Sequence, residues 1–115
     1  MELTGEAKLL RIFIGEADKL HHALLSEVIV REARSRGLAG ATVWRGMLSF
    51  GPTSRIRTNK FLDLSSDLPM IIEIVDAETK INDFLPQLHN LFEQANCGGL
   101  VTIEKVQIIR YFHAK

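Results

Sequence analysis

The densest cluster of chemically able side chains is Ser54-Arg55-Ile56-Arg57-Thr58, with Lys60 close behind. Two arginines flanked by hydroxyls can clamp a phosphate or carboxylate through paired N–H donors. The competing reading is a solvated basic loop, or one that pairs with acids of a neighbouring subunit. Gly98-Gly99 is a second candidate, because adjacent glycines can turn backbone N–H groups toward an anion; a plain helix-to-strand turn needs the same residues. Arg45 stands inside an apolar run, either paired with Glu73 or turned toward a ligand. Trp44 and Phe50 have faces on which a base can stack, against the commoner use of large aromatics as core.

Other chemistries find little to work with. His21 and His22 are adjacent, and on a helix they would point about 100° apart, a poor chelate. Cys97 is the single cysteine, so neither an internal disulfide nor a multi-cysteine zinc site is available. There is no nucleophile elbow, phosphate-binding P-loop or dinucleotide fingerprint. The expectation is no catalytic residue, no metal and no enzyme. Fourteen Lys+Arg balance fourteen Asp+Glu among 115 residues, so no global charge draws the chain to nucleic acid. No apolar run reaches the ~18 residues of a membrane span, and the acidic start MELTGE does not read as a secretory signal.

The elements that must position these residues show in the changing period of the apolar pattern. Residues 8–15 alternate as a strand, with Leu10, Ile12 and Ile14 on one face and Leu9, Arg11 and Phe13 on the other. Residues 20–36 read as a helix with a stripe of Leu25, Val28, Ile29 and Ala33, opened by the two histidines and ended at Gly37. Residues 40–50 form a second strand, and a long polar connection, Gly51 to Leu68, follows with a short strand at Lys60–Leu64. Residues 69–76 are a central strand. A helix over 78–94 carries Ile81, Phe84, Leu88, Leu91 and Phe92, with Pro86 marking a kink or a late start. Residues 100–112 form the last strand, bulged near Glu104-Lys105.

This β-α-β-loop-β-α-β order predicts an α+β, ferredoxin-like βαββαβ sandwich with both helices on one sheet face. The other face would carry Leu9, Arg11 and Phe13 beside Val43, Arg45 and Met47, then Ile71, Glu73 and Val75. Such a face is too apolar for a monomer and predicts oligomerisation, with Arg11, Arg45 and Glu73 as paired charges.

The runs GLAGATVWRGMLSFG (37–51), SRIRT (54–58), DLPMIIEIVD (67–76), INDFLPQL (81–88) and GGLVTIEKV (98–106) resemble, in order and spacing, an uncharacterised PII-like family. That family is a domain of unknown function related to the PII nitrogen-signalling proteins, and the resemblance runs from Ala7 to Tyr111. It implies a trimer that binds ATP or ADP in clefts between subunits and shows a long signalling loop, here Gly51–Leu68, to a target protein. Phe50-Gly51 resembles the Phe-Gly at the base of that loop, and Gly98-Gly99 sits where PII proteins have a glycine-rich phosphate turn. The lysine that follows that turn in PII is Leu100 here, and the basic pair at the end of the last strand is reduced to Arg110. The loop has no tyrosine for uridylylation. These departures favour a ligand that asks for fewer cations, such as a nucleoside monophosphate.

The expectation is therefore a single PII-like domain over residues 1–115, a cytoplasmic homotrimer that senses a small anionic metabolite at subunit clefts. The ligand would be an adenine nucleotide (AMP, ADP or ATP), held by Arg45, Phe50, Gly51, Ser54, Arg55, Arg57, Gly98, Gly99 and Arg110. The loop would meet a partner protein, and relatives of this kind suggest a membrane transporter. The alternative is a constitutive trimeric interaction module that senses nothing. RNA binding shares the topology, but the central strands offer aliphatic rather than aromatic residues.

Overall fold

The computed structural model describes residues 4–50, 57–58 and 68–112, with Arg57 and Thr58 described by their backbone alone. Four strands make one antiparallel sheet: β1 (Gly5–Gly15), β4 (Thr42–Arg45), β7 (Pro69–Asp76) and β8 (Leu100–Ile108), in the spatial order β4-β7-β1-β8. Two short hairpins, β2 (Lys19–Leu20) with β3 (Ala23–Leu24) and β5 (Leu48–Ser49) with β6 (Arg57–Thr58), stand apart from it. Helix α1 (Leu25–Ser35) packs on β7 and on α2 (Glu78–Ala95), and α2 packs on β1 and β7. This is the ferredoxin-like sandwich, with helices on one sheet face only.

The core follows from the two periodicities. Leu10, Ile12 and Ile14 of β1 and Ile72 and Ile74 of β7 point to the helices, and Leu25, Ile29 and Ala33 of α1 and Ile81, Phe84, Leu88 and Leu91 of α2 point back. Each Leu, Ile or Phe side chain of this set contributes about 1.5–3 kcal/mol by leaving water. Asp76, buried at the end of β7, is fully used: one carboxylate oxygen accepts the Ala77 N–H at the start of α2, and the other accepts the Ala39 N–H ahead of β4. A carboxylate at the positive end of a helix dipole is in its favoured place. α2 runs unbroken through Pro86 to Asn96, which closes it in the left-handed conformation at φ 51°.

Several expectations need correction. α1 begins at Leu25 rather than residue 20, because residues 19–24 fold into the β2–β3 hairpin. His21 and His22 are its two-residue turn, with His21 at φ 56°. β8 pairs with β1 in continuous register from Phe13–Leu100 to Gly5–Ile108, so it has no bulge, and it ends at Ile108 rather than 112. The slip in its apolar alternation reflects an edge strand open on both faces, where Leu100, Val101 and Ile103 are all exposed. The strand expected over 40–50 stops at Arg45. The strand expected at Lys60–Leu64 lies outside the described residues, and the described partner in this region is β6.

The open face also differs by one position along β4. Thr42 is opposite Glu73 and Trp44 is opposite Ile71, so those two share the open face with Leu9, Arg11, Phe13 and Val75. Val43 and Arg45, opposite Ile72 and Met70, lie on the helix side. A four-residue edge strand with apolar residues in both alternating sets does not declare its parity, and a shift of one residue exchanges the faces. Trp44 is 57% exposed in the protomer rather than core, and its indole Nε1 donates to Glu73 Oε1 at 2.7 Å. The other oxygen of Glu73 accepts from Arg11 Nε at 2.8 Å, and Arg11 Nη1 reaches Glu104 Oε1 at 3.1 Å. The expected Arg11–Glu73 pair is present. The row Trp44–Glu73–Arg11–Glu104 crosses all four strands of the sheet.

Two outcomes follow. Hydrogen bonds from Arg11 first and Trp44 second hold the Glu73 carboxyl below its ordinary 4.5. A depressed value in the fold stabilises it above the ordinary carboxylate range, and that stability is lost as pH falls through and below that range. In urea titrations, the stability gap between wild type and Glu73→Gln should narrow steadily as pH is taken below 4.5. Gly46 carries the second prediction: a Cβ there would lie 2.4 Å from Pro69 Cγ, whereas one at Gly98 meets nothing within 4 Å. Gly46→Ala should cost about 1–3 kcal/mol through overpacking, and Gly98→Ala should stay within about 0.5 kcal/mol of wild type.

Candidate functional site

β4 ends where the chain must pass under Pro69. The Gly46 N–H donates to the Pro69 carbonyl at 2.7 Å, and only a residue without Cβ fits so close to that ring. Two residues later β5 pairs with β6, Leu48 opposite Thr58 and Ser49 opposite Arg57. The described ends of the long connection are thus tied together by backbone. Of the site residues expected in this region, Gly51, Ser54 and Arg55 lie outside the described residues, and Arg57 is placed by its backbone in β6. Phe50, expected to be core or a stacking surface, is 69% exposed.

Arg45 is the last side chain before this neck. Its partner is Glu16, not Glu73: Nε lies 2.8 Å from Oε2, and Nη2 donates to Oε1 at 3.3 Å. Glu73 is on the opposite sheet face and cannot be reached. Glu16 follows β1 directly, and its backbone N–H donates to the Leu68 carbonyl at 2.7 Å, beside Pro69. Sequence reasoning missed Glu16 because nothing local marks an acid that meets its arginine 29 positions away.

Gly98 and Gly99 occupy the same end of the sheet, ahead of β8. With His89, Phe92, Glu93, Asn96, Cys97 and Val101 they line a shallow cleft of about 470 Å³. A Cβ on Gly99 would lie 2.8 Å from both the Phe13 carbonyl oxygen and the Phe92 ring, so glycine is required there by packing alone. The cleft lies at the carbonyl end of α2, whose last turn carries no basic residue. Glu93 is at the rim, 3.2 Å from His89 Nε2. Burial first, and the charge of Asp18 second, push the Cys97 thiol up, away from a reactive thiolate. In one protomer this cleft has a negative cast and supplies no fixed cation to a phosphate.

Arg110 stands at the far end of β8, its guanidinium stacked on the Phe112 ring at 4.3 Å. Tyr111 beside it donates its hydroxyl to the Ala39 carbonyl. β8 holds nine residues, so Arg110 is roughly 30 Å from Gly99. Arg45 and Gly98-Gly99 share one end of the sheet but lie on its two opposite edges, three strand spacings or about 14 Å apart. The structure therefore places the described candidates at three separate stations of one protomer. Among the described residues no cluster of His, Cys, Asp and Glu could hold a metal ion, and no helix is long and apolar enough to cross a membrane.

Comparison with known proteins agrees with this architecture. Residues 7–108 match the family model DUF190, described as "Uncharacterized ACR, COG1993". A UPF0166 protein of Aquifex aeolicus is 38% identical over 102 residues, covering 89% of this chain and 92% of the relative. The UPF0166 protein MJ1524 of Methanocaldococcus jannaschii is 33% identical over 105 residues, covering 91% and 94%. Among solved structures, CPII of Thiomonas intermedia K12, a nitrogen regulatory PII-like protein bound to ADP, AMP and bicarbonate, superposes with a TM-score of 0.67. That match is at 18% identity and covers 94% of this chain and 91% of CPII, a likeness of fold. With its matching segments, its β4-β7-β1-β8 sheet and its one-sided helix layer, the chain belongs to the uncharacterised DUF190 (UPF0166) family and has the PII-like form of the ferredoxin fold.

Proposed function

We propose that the protein is a PII-like regulatory protein that assembles as a homotrimer and senses an adenine nucleotide in clefts between subunits. The observation that carries this reading is the separation of the candidate residues. Arg45, Gly98-Gly99 and Arg110 lie at two sheet edges and two sheet ends, so residues of one chain cannot enclose one small ligand. Copies of the chain set side by side bring one protomer's β4 edge to the next protomer's β8 edge, and two stations then face the same cleft. The assembly has surface to bury: Trp44, Met47, Leu48, Phe50, Leu100 and Ile103 are all exposed in the protomer. CPII, which shares the fold, is bound to ADP and AMP.

Within such a cleft Arg45, Arg55 and Arg57 are the cations offered to the phosphate, with Gly51, Ser54 and the Phe50 ring around it, whereas Arg110, at the other end of the sheet, faces a different part of the interface. The Gly98-Gly99 cleft, with Phe92 and a negative cast, suits the amino-bearing base better than the phosphate. Binding would change the surface that the 51–68 connection shows to a partner protein, for which a membrane transporter is the family-level suggestion. A cytoplasmic setting and a single domain over residues 1–115 belong to the same reading.

One observation favours a second reading. The absence of a cation in the last turn of α2, with Leu100 following the glycines, suits a trimer that binds a partner constitutively and senses nothing. Thermal-shift measurement of the purified protein with AMP, ADP and ATP separates the two. A nucleotide at ~100 times its Kd adds about 2.7 kcal/mol, a rise of roughly 10 °C for a domain of this size. The expected result is a rise with at least one nucleotide, AMP foremost, that disappears in Arg55→Ala. An unmoved melting temperature with all three supports the constitutive module. Light scattering should give three times the chain mass, and a monomer would overturn the intersubunit site.

A further inference from the structure

In this structure Arg45 already holds an oxyanion. Glu16 presents both carboxylate oxygens to one edge of the guanidinium, Oε2 to Nε at 2.8 Å and Oε1 to Nη2 at 3.3 Å. This is the two-point approach by which arginine takes a carboxylate or a phosphate group. Burial does not impose it, because the side chains of Arg45 and Glu16 are 59% and 35% exposed. Backbone does: the Glu16 N–H is bound to the Leu68 carbonyl, and Gly46, next to Arg45, is bound to the carbonyl of the adjoining Pro69. Both charged residues are thereby pinned to one corner at the start of β7.

We propose that Glu16 is an internal competitor for the anion-binding edge of Arg45. A ligand's phosphate or carboxylate group then binds by displacing this carboxylate, and the exchange sets its affinity. The inference rests on the reading that Arg45 belongs to the ligand site, and it adds the residue that tunes that site. Glu16 is a positioning residue: it touches Arg45, not the ligand. The exchange also gives the site a graded response, because the arginine is never an empty cation that any anion can occupy without cost. An exposed ion pair limits the effect to about fivefold in affinity.

The test uses the full chain with inorganic phosphate as the probe, following the Arg45 Nε–H resonance by NMR. The phosphate midpoint should fall by up to about fivefold in Glu16→Gln and to the same extent in Glu16→Ala, and Arg45→Gln, which lacks this resonance, identifies it. A pair with only a structural role would lower the melting temperature of the Glu16 variants and leave the phosphate midpoint where it is in wild type; that result overturns the inference. Parallel titrations with AMP, ADP and ATP keep the two readings apart. AMP binding with equal phosphate midpoints in wild type and variants removes the exchange and leaves nucleotide sensing standing. A lowered midpoint with no binding of AMP, ADP or ATP to any of the proteins supports the exchange and removes the sensing.

Discussion

Glu73 sits at the centre of a polar row that spans the whole sheet, accepting from Trp44 on one side and from Arg11 on the other. Arg11 continues the row to Glu104. Each link joins neighbouring strands, so the row holds β4, β7, β1 and β8 in one register on a face with no helix over it. Ion pairs on an open face add little net stability, and their value here lies in specifying alignment. The strand order puts β4 and β8 at the two edges, and the register acts within it. It sends Arg45 to the helix side near one corner, and it leaves Gly98-Gly99 at the opposite corner of the same end. The scattered candidate site is a direct consequence of the register.

The same register explains why the open face is amphipathic rather than simply apolar. Leu9, Phe13, Ile71 and Val75 surround the charged row, half-buried in the protomer. A face of this kind can pack against another copy of the chain, and its fixed donors and acceptors restrict which orientation packs. The two sheet edges add exposed apolar side chains from β8 and from the neck of the long connection. Fold and proposed assembly thus draw on one set of side chains, and the ligand site depends on both.

Much of the architecture was legible in the sequence because it is written in long periodic runs. The stripe Ile81, Phe84, Leu88, Leu91 declares α2, though not with the late start offered at Pro86, which lies inside the helix, and PMIIEIVD declares a central strand, as its buried Ile72 and Ile74 confirm. The alternation of β1 predicted the Arg11–Glu73 pair. What escaped was short or non-local. Two-residue strands such as β2 and β3 have no period to detect, so the hairpin around His21-His22 passed for the first turn of α1. The parity of β4 is set by its backbone pairing with β7 and shows in the hydrogen bond from Trp44 to Glu73, between residues 29 positions apart. Arg45 was recognised as a charge in need of a partner, but its true partner, Glu16, arrives through the path of the backbone at the end of β1. Of the expected ligand set, Gly98, Gly99, Arg45, Phe50 and Arg110 are placed by the structure at separate points of the protomer, and bringing any of them together is left to the proposed assembly.

The most direct test of that claim is subunit complementation, read by AMP binding. Arg45→Ala and Gly98→Phe proteins, the second with its cleft filled, are each prepared alone, then mixed, unfolded and refolded together. If one site draws Arg45 from one protomer and the Gly98-Gly99 cleft from the next, neither variant binds alone, and the mixture regains about a quarter of the sites through random assembly. Restored binding near that fraction is the expected outcome. A mixture as inactive as its parents, from variants that refold to the same mass as wild type, would contradict it and confine the site to a single chain.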